Sequence, residues 1–479
     1  MTRLNSWRKI CVGCLLYAAT AMATSADTFT TLAYFTVADG SVPYSSLIQG
    51  IDGSLYGTAG NGGANGYGTV FKVTPTGTLS ALYSFCSQAN CADGAYPGAA
   101  LVLGTDGNLY GTTSEGGATC AATFGIGCGT VFKLTPGGTL TTLHSFDGTD
   151  GNAPGMLVEG SDGNLYGTTG AGGTGNSCVG GCGTVFKMTL AGTITPLHSF
   201  NQTDGSIPGG LALGTDGNFY GVTATGGTSN ACNGGGCGSV FKITPGGKFT
   251  SLHSFSFTDG STPVAPPVQA TSGAFYGTTF EGGNANFHGC TNGCGTIFKI
   301  SSGGAFATVH KFHFGDGGNP ESGLVQATDG NLYGESLLGG TMGGGEIFKV
   351  TLPRTLATVS SFDPASGGGG NTAVVQSTDG KFYGTYGVPG AVFSLDVNLN
   401  PFIAFVIPTG KPGKAAQILG QGLTGTTSVT FNGVPATSFA VVSDTYMTAV
   451  VPIGATTGSV VVTTASGNLT SNVNFRITK

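Results

Sequence analysis

One phrase returns seven times along the chain and limits the fold more than any other feature. Leu-Tyr-Gly-Thr, or a close variant, begins at Leu55, Leu109, Leu165, Phe219, Phe275, Leu332 and Phe382. A second phrase, Gly-Thr-Val-Phe-Lys, trails each copy at Gly68–Lys72, Gly129–Lys133, Gly183–Lys187, Gly238–Lys242, Gly295–Lys299 and Gly345–Lys349, with a weaker version at Gly390–Ser394. A third, Leu-His-Ser-Phe, closes several units, as at Leu143–Phe146 and Leu197–Phe200. A fixed period of this length signals one supersecondary unit that buries its apolar faces only by stacking on its neighbours.

The unit between Gly155 and Phe200 reads as four β-strands. Strand a covers Met156–Glu159, b Asn164–Thr169, c Thr184–Thr189 and d Thr193–Phe200. Asp162-Gly163 and Ala191-Gly192 supply the tight turns, where positive φ is needed. The pairs Leu165-Tyr166 and Val185-Phe186 are apolar on both sides of their strand, the pattern of a sheet covered on both faces. Four short strands in about 50 residues make one blade of a β-propeller. The 89 glycines keep no collagen period, and 39% hydrophobic residues in ordered recurrence argue against disorder. The glycine after each strand-b tyrosine is read as permitting close approach near a crowded axis.

The seventh unit has strands a to c but no strand d after Ala391–Leu395. Thr28–Phe35 stands alone near the other end and has the strand-d pattern of Thr78–Phe85. It is therefore expected to complete the seventh blade and close the ring. The fold class is all-β: a seven-bladed β-propeller over 27–398, followed at 399–479 by a smaller unit. There Val429/Phe431 and Val460/Val462 alternate as half-buried strands, and Asn432-Gly433 marks a hairpin.

The repeated phrases resemble the GloVer-type tandem repeat of exported bacterial proteins, over about residues 28–397. That resemblance implies no activity and no catalytic residue. The seventh copy departs from it, lacking the Gly-Gly loop and the lysine. The tail resembles an IPT/TIG domain, an immunoglobulin-like sandwich, through Gly420, Val429-Thr430-Phe431-Asn432-Gly433, Val450-Val451-Pro452, Val460-Val461-Val462 and Phe475. The resemblance implies a spacer or interaction module.

Residues 1–26 have the form of a secretory signal: Arg3, Arg8 and Lys9, then an apolar stretch from Ile10 to Ala23 too short to span a bilayer comfortably, then small residues. A lipoprotein anchor at Cys14 is the weaker reading, because the apolar run before it is short. Loss of the leader takes the formal charge from −6 to −9. That sign disfavours nucleic acid and anionic membrane as partners, and no second membrane segment is expected. Outside the leader the cysteines fall into five close pairs: Cys86/Cys91, Cys120/Cys128, Cys178/Cys182, Cys232/Cys237 and Cys290/Cys294. Local pairs behind a signal predict disulfides in an oxidising compartment. Zinc would need two such pairs brought together, and these sit in separate repeats, so no metal or other cofactor is expected.

In an up-and-down blade the b–c loop and the d–a connection emerge on one side, so all ten cysteines should decorate a single loop face. Asp-Gly-x-x-Pro recurs in the d–a connection at Asp39, Asp93, Asp150, Asp204, Asp259 and Asp316. Its repetition reads as turn chemistry rather than a carboxylate ring for a cation. The a–b turn aspartates are read the same way. His144, His198 and His253 share a strand-d slot, with His310 offset nearby, and are assigned to packing. The unrepeated candidates for binding are Glu115, Glu281 and His288; His313 and Glu335 are noted beside them. No catalytic motif was found. The expectation is an exported, secreted or cell-surface, non-catalytic scaffold whose loop face binds an extracellular polysaccharide or an envelope protein. The alternatives are a secreted carbohydrate-active enzyme using Glu115, Glu281 and His288, and a structural cell-surface component.

Overall fold

The structure is a computed structural model that describes residues 27–478 apart from 118–126, 176, 233, 285–288, 353–354, 367 and 370–371. The leader, Cys120 and His288 therefore lie outside the described residues. The chain is all-β, with two three-residue 3-10 turns as the helical elements among the described residues.

Each repeat forms a four-stranded antiparallel sheet with strands in the order a-b-c-d, giving seven such sheets. They are numbered here by their b strands: Leu55–Ala59, Leu109–Thr113, Leu165–Ala171, Phe219–Thr225, Phe275–Thr279, Leu332–Ser336 and Phe382–Tyr386. In sheet 3 the strands are Asn152–Glu159, Leu165–Ala171, Thr184–Met188 and Ile194–Ser199, within a few residues of the sequence reading. Strand d of sheet 7 is Thr28–Tyr34, antiparallel to Ala391–Asp396, pairing from Thr28 opposite Asp396 to Tyr34 opposite Ala391 with a bulge between Thr31 and Ala33. The chain thus takes its first described strand for its last repeat sheet. Phe29 stacks on Phe393 at 4.9 Å between ring centroids, which anchors the borrowed strand by apolar burial.

Consecutive sheets pack face to face. Tyr166, Val185 and Phe200 of sheet 3 share one buried cluster with Phe219, Phe241 and Ile243 of sheet 4. Tyr383 and Val392 of sheet 7 share another with Leu55, Phe71 and Val73 of sheet 1. Two sets of hydrogen bonds reinforce these faces. A strand-b hydroxyl donates to a carbonyl of the next sheet: Thr58 to Ala99, Thr112 to Gly155, Thr168 to Gly209, Thr278 to Ser322 and Thr385 to Pro43, at 2.7–3.1 Å. Near the opposite edge, the amide or carboxylate ending strand a accepts an N–H from the preceding sheet. Gln49 accepts from Thr378, Glu159 from Thr105, Gln269 from Thr215, Gln326 from Thr271 and Gln376 from Thr328. Both sets include a bond between sheets 7 and 1.

The glycine after each strand-b tyrosine has an internal reason. A Cβ on Gly167 would lie 2.6 Å from the Phe186 ring and 2.8 Å from the Leu157 side chain, both of its own sheet. The crowding comes from the neighbouring strands of the same sheet, not from a central axis.

The tail forms two further four-stranded sheets and a two-stranded parallel pair. One joins Ala404–Phe405, Ala415–Leu419, Tyr446–Val450 and Phe439–Ser443; the other joins Val434–Pro435, Ser428–Phe431, Val460–Thr464 and Gly467–Thr470. Ile418, Val429, Phe431, Met447, Val460, Val462 and Phe475 share its core. Asn432 and Gly433 both take positive φ, 45° and 82°, as a two-residue hairpin turn requires. No helix among the described residues is long and apolar enough to cross a membrane.

Candidate functional site

The two edges of the repeat sheets carry different chemistry. At the a–b turns, an aspartate folds the turn and ties it to the following tyrosine. Asp162 accepts the Asn164 N–H and the Tyr166 hydroxyl, and Lys187 reaches it at 2.8 Å. Burial alone would raise the Asp162 carboxyl, but these hydrogen bonds outweigh it and hold it below the usual range. Burial and the Asp162 hydrogen bond push the Tyr166 phenol up to about 12. The same aspartate–tyrosine bond recurs at Asp52, Asp106, Asp216, Asp329 and Asp379. These groups are committed to structure.

This edge is also where the tail docks. Thr445 donates to the Ile51 carbonyl and Gln417 to the Thr105 carbonyl, each at 2.8 Å. The Arg476 guanidinium donates to the Thr215 carbonyl, and the Phe402 N–H to the Thr378 carbonyl at 3.0 Å. One small unit thereby touches sheets 1, 2, 4 and 7.

The opposite edge gathers the b–c loops and d–a connections. Bridges Ser41–Asn61, Ala95–Glu115, Ser261–Glu281 and Gly318–Leu338 join the two loop types within a sheet, as strand parity required. Four expected disulfides are present there: Cys86–Cys91, Cys178–Cys182, Cys232–Cys237 and Cys290–Cys294. Cys128 is also disulfide-bonded. The repeated Asp-Gly aspartates serve as caps. Asp204 accepts the Asn201 N–H and meets His198 Nε2 at 3.0 Å, while the His198 ring stacks on Phe249 of the next sheet. His144, His253 and His310 make the same bond to Asp150, Asp259 and Asp316. His310 therefore occupies the common slot rather than an offset one. His313 is drawn into the same turn, with Nε2 2.9 Å from Asp316.

The sequence-selected acids are not brought together. Glu115 belongs to sheet 2, where its backbone pairs with Ala95. Glu281 belongs to sheet 5, and Asn292 donates to its carboxylate at 3.0 Å, holding the loop closed. Glu335 is not a loop residue: it lies inside strand b of sheet 6, wholly buried, with neither carboxyl oxygen hydrogen-bonded. Burial pushes its carboxyl well above the usual range. Glu346 opens strand c of the same sheet, also buried, with one oxygen accepting from Thr358.

A cavity of about 730 Å³ lies toward the loop edge. Its wall comes from the starts of strands a in six of the seven sheets, with Tyr44, Ala99, Met156, Ala265, Glu321 and Ala373 as one residue from each. Short side chains leave the space open, since only Tyr44, Met156, Glu321 and a few aliphatic groups project far. Glu321 is the charged side chain among the described wall residues. Partial desolvation by the surrounding walls raises its carboxyl, with no hydrogen bond offsetting that, while the side chain stays exposed to solvent. Sequence reasoning missed Glu321. The signal was the residue after each Asp-Gly-x-x-Pro proline, which runs Tyr44, Gly98, Gly155, Gly209, Val264, Glu321. Among the described residues no cluster of three or more His, Cys, Asp or Glu is arranged to hold a metal ion.

Comparison with known proteins adds the following. No curated protein matches the chain. The chain resembles the extracellular domain of a hybrid two-component system from B. thetaiotaomicron at 12% identity and a TM-score of 0.48, covering 94% of this chain but 57% of that one. It also resembles a gluconolactonase from Xanthomonas campestris (13% identity, TM-score 0.39, 79% and 92% covered). A third likeness is to a fungal alcohol oxidase in complex with copper (13% identity, TM-score 0.44, 94% and 99% covered). Likenesses this weak carry no activity to this chain. The family model described as the Gloeobacter/Verrucomicrobia repeat matches three times, over residues 18–233, 122–284 and 231–439. Those matches take in all seven copies of the repeated phrases, and the chain belongs to the Gloeobacter/Verrucomicrobia repeat family.

Proposed function

We propose that the seven sheets close into a seven-bladed propeller over 27–398, that 399–479 is an immunoglobulin-like domain of the IPT/TIG kind, and that the protein is an exported, non-catalytic binding scaffold. Closure is supported by the borrowed strand Thr28–Tyr34 and by the contacts of sheet 7 with sheet 1. Export is supported by the disulfides, which persist in oxidising compartments.

The binding role rests on one observation: the cavity of about 730 Å³ built from six sheets at the loop edge. Its size falls in the range of small-molecule pockets, and it lies at the ends of strands a that follow the d–a connections. The tail covers the other edge, so the cup is open toward the loops. The ligand is an extracellular polysaccharide, bound by its chain end or a protruding residue.

The test is a panel of neutral, anionic and cationic polysaccharides scored for both retention and cleavage. Retention of at least one without product release is expected. Released product, or no retention anywhere on the panel, overturns the reading.

A further inference from the structure

The cup has an electrical asymmetry that its shape alone does not explain. Among its described wall residues Glu321 is charged and none is basic. No hydrogen bond reaches the Glu321 carboxyl from the described residues, and burial is the one influence on its proton affinity. The side chain is exposed to solvent, so water serves the carboxylate in the free protein, and a ligand that displaces that water must bring its own donor or counter-ion. The repeat does not require this glutamate: the corresponding position is glycine at Gly98, Gly155 and Gly209. A neutral ligand would leave the carboxylate unmatched and an anionic one would be repelled.

The wall also restricts the body of the ligand. Gly98, Ala99, Ala265, Gly323 and Ala373 give it short surfaces that a flat, broad group can lie against. Tyr44, 49% exposed, offers an aromatic face at the same wall. A thin alkyl-ammonium chain would leave most of the 730 Å³ unfilled, whereas several linked saccharide rings with their hydroxyls fill more of it.

We propose that the cup binds an amino sugar of a cationic polysaccharide, with Glu321 as counter-ion to the ammonium group and Tyr44 as the face against which the ring lies. This assignment rests on the binding reading given above and names its ligand class.

The experiment is isothermal titration of the disulfide-intact chain with two probes, a fully deacetylated glucosamine hexamer and its N-acetylated counterpart. Wild type should bind the deacetylated hexamer more tightly. Glu321→Gln, which keeps shape but removes charge, should weaken that binding by roughly 10- to 100-fold, the scale of one charge-assisted hydrogen bond, and leave the acetylated probe unaffected. Tyr44→Ala should weaken both. Unchanged thermal melting of each variant excludes misfolding as the cause. Equal affinity of wild type and Glu321→Gln for the deacetylated hexamer overturns the assignment. So does an oligolysine peptide that binds in a Glu321-dependent way while the hexamer does not, since the amine would then be a protein's. If neither hexamer binds but another polysaccharide of the panel is retained, the amino-sugar assignment fails and the general binding role stands. If nothing is retained, both fail.

Discussion

Glu335 offers the sharpest test of how the sheets are held together. In five sheets the equivalent strand-b residue is a threonine whose hydroxyl donates to the next sheet, from Thr58, Thr112, Thr168, Thr278 and Thr385. Sheet 6 has Glu335 instead, with both carboxyl oxygens buried and unpartnered. Its proton affinity is raised by burial. An unfolded glutamate ionises near pH 4.3, about the reference value. Below that pH both states are protonated, so the group makes stability independent of pH. Above it the unfolded chain releases the proton while the folded chain keeps it, so stability falls as pH rises, until the raised folded value is passed. The slope is at most about 1.4 kcal/mol per pH unit for one proton and vanishes once the raised folded value is passed. Glu335→Thr removes this linkage and restores a bridging hydroxyl, and relieves a burial cost of about 1–3 kcal/mol. The variant should be more stable than wild type at pH 7, by about 1–3 kcal/mol after some loss of packing volume. The gap should narrow toward pH 4. Urea unfolding midpoints of both proteins from pH 4 to 8 measure it. A gap that stays constant with pH, or a Glu335→Thr protein less stable at pH 7, refutes the argument.

Three further outcomes follow from the same framework. Deleting residues 28–34 exposes the edge at Ala391–Asp396 and strips Phe29 from Phe393, so the melting temperature should fall by several degrees or the protein should aggregate; an unchanged melt contradicts the borrowed strand. Mass spectrometry after alkylation should find no modified cysteine among Cys86, Cys91, Cys178, Cys182, Cys232, Cys237, Cys290 and Cys294, and opening any one pair should cost no more than about 2 kcal/mol because each loop is short. Thr385→Val removes the bond to the Pro43 carbonyl while keeping the side-chain shape that Val222 already has in sheet 4, so denaturant unfolding should show a loss of about 1 kcal/mol.

Much of this was legible because repetition separates scaffold from exception. Three histidines in one slot announced a shared structural duty, and His198 shows it by bonding Asp204 and stacking on Phe249; His310 was read as offset although it too stands six residues before its aspartate and bonds it. The borrowed strand was visible as a strand-d pattern at one end and a missing one at the other. The selection of Glu115 and Glu281 followed their loop positions, but being unrepeated says nothing about convergence: the two belong to different sheets, and Asn292 engages Glu281 in its own loop. Glu321 was readable only by aligning the residue after each turn proline, because its importance comes from what six other segments leave empty around it. The tail's docking had no sequence signature at all. Gln417, Thr445 and Arg476 meet backbone carbonyls, and a carbonyl is present at every residue, so nothing in the side-chain pattern marks which ones are met.

The pairing of Thr28–Tyr34 with Ala391–Asp396 also dictates a schedule. The first described strand has no partner until more than 350 residues have followed it, since Tyr34 pairs with Ala391, so six sheets can assemble locally while the seventh waits. During that interval two raw edges are exposed, one at each end of the growing stack, and each is a template for pairing with a foreign strand. A chaperone or a fast exit route that shields Phe29 and Leu32 until Phe393 arrives would govern yield more than any change to the stability of the finished molecule.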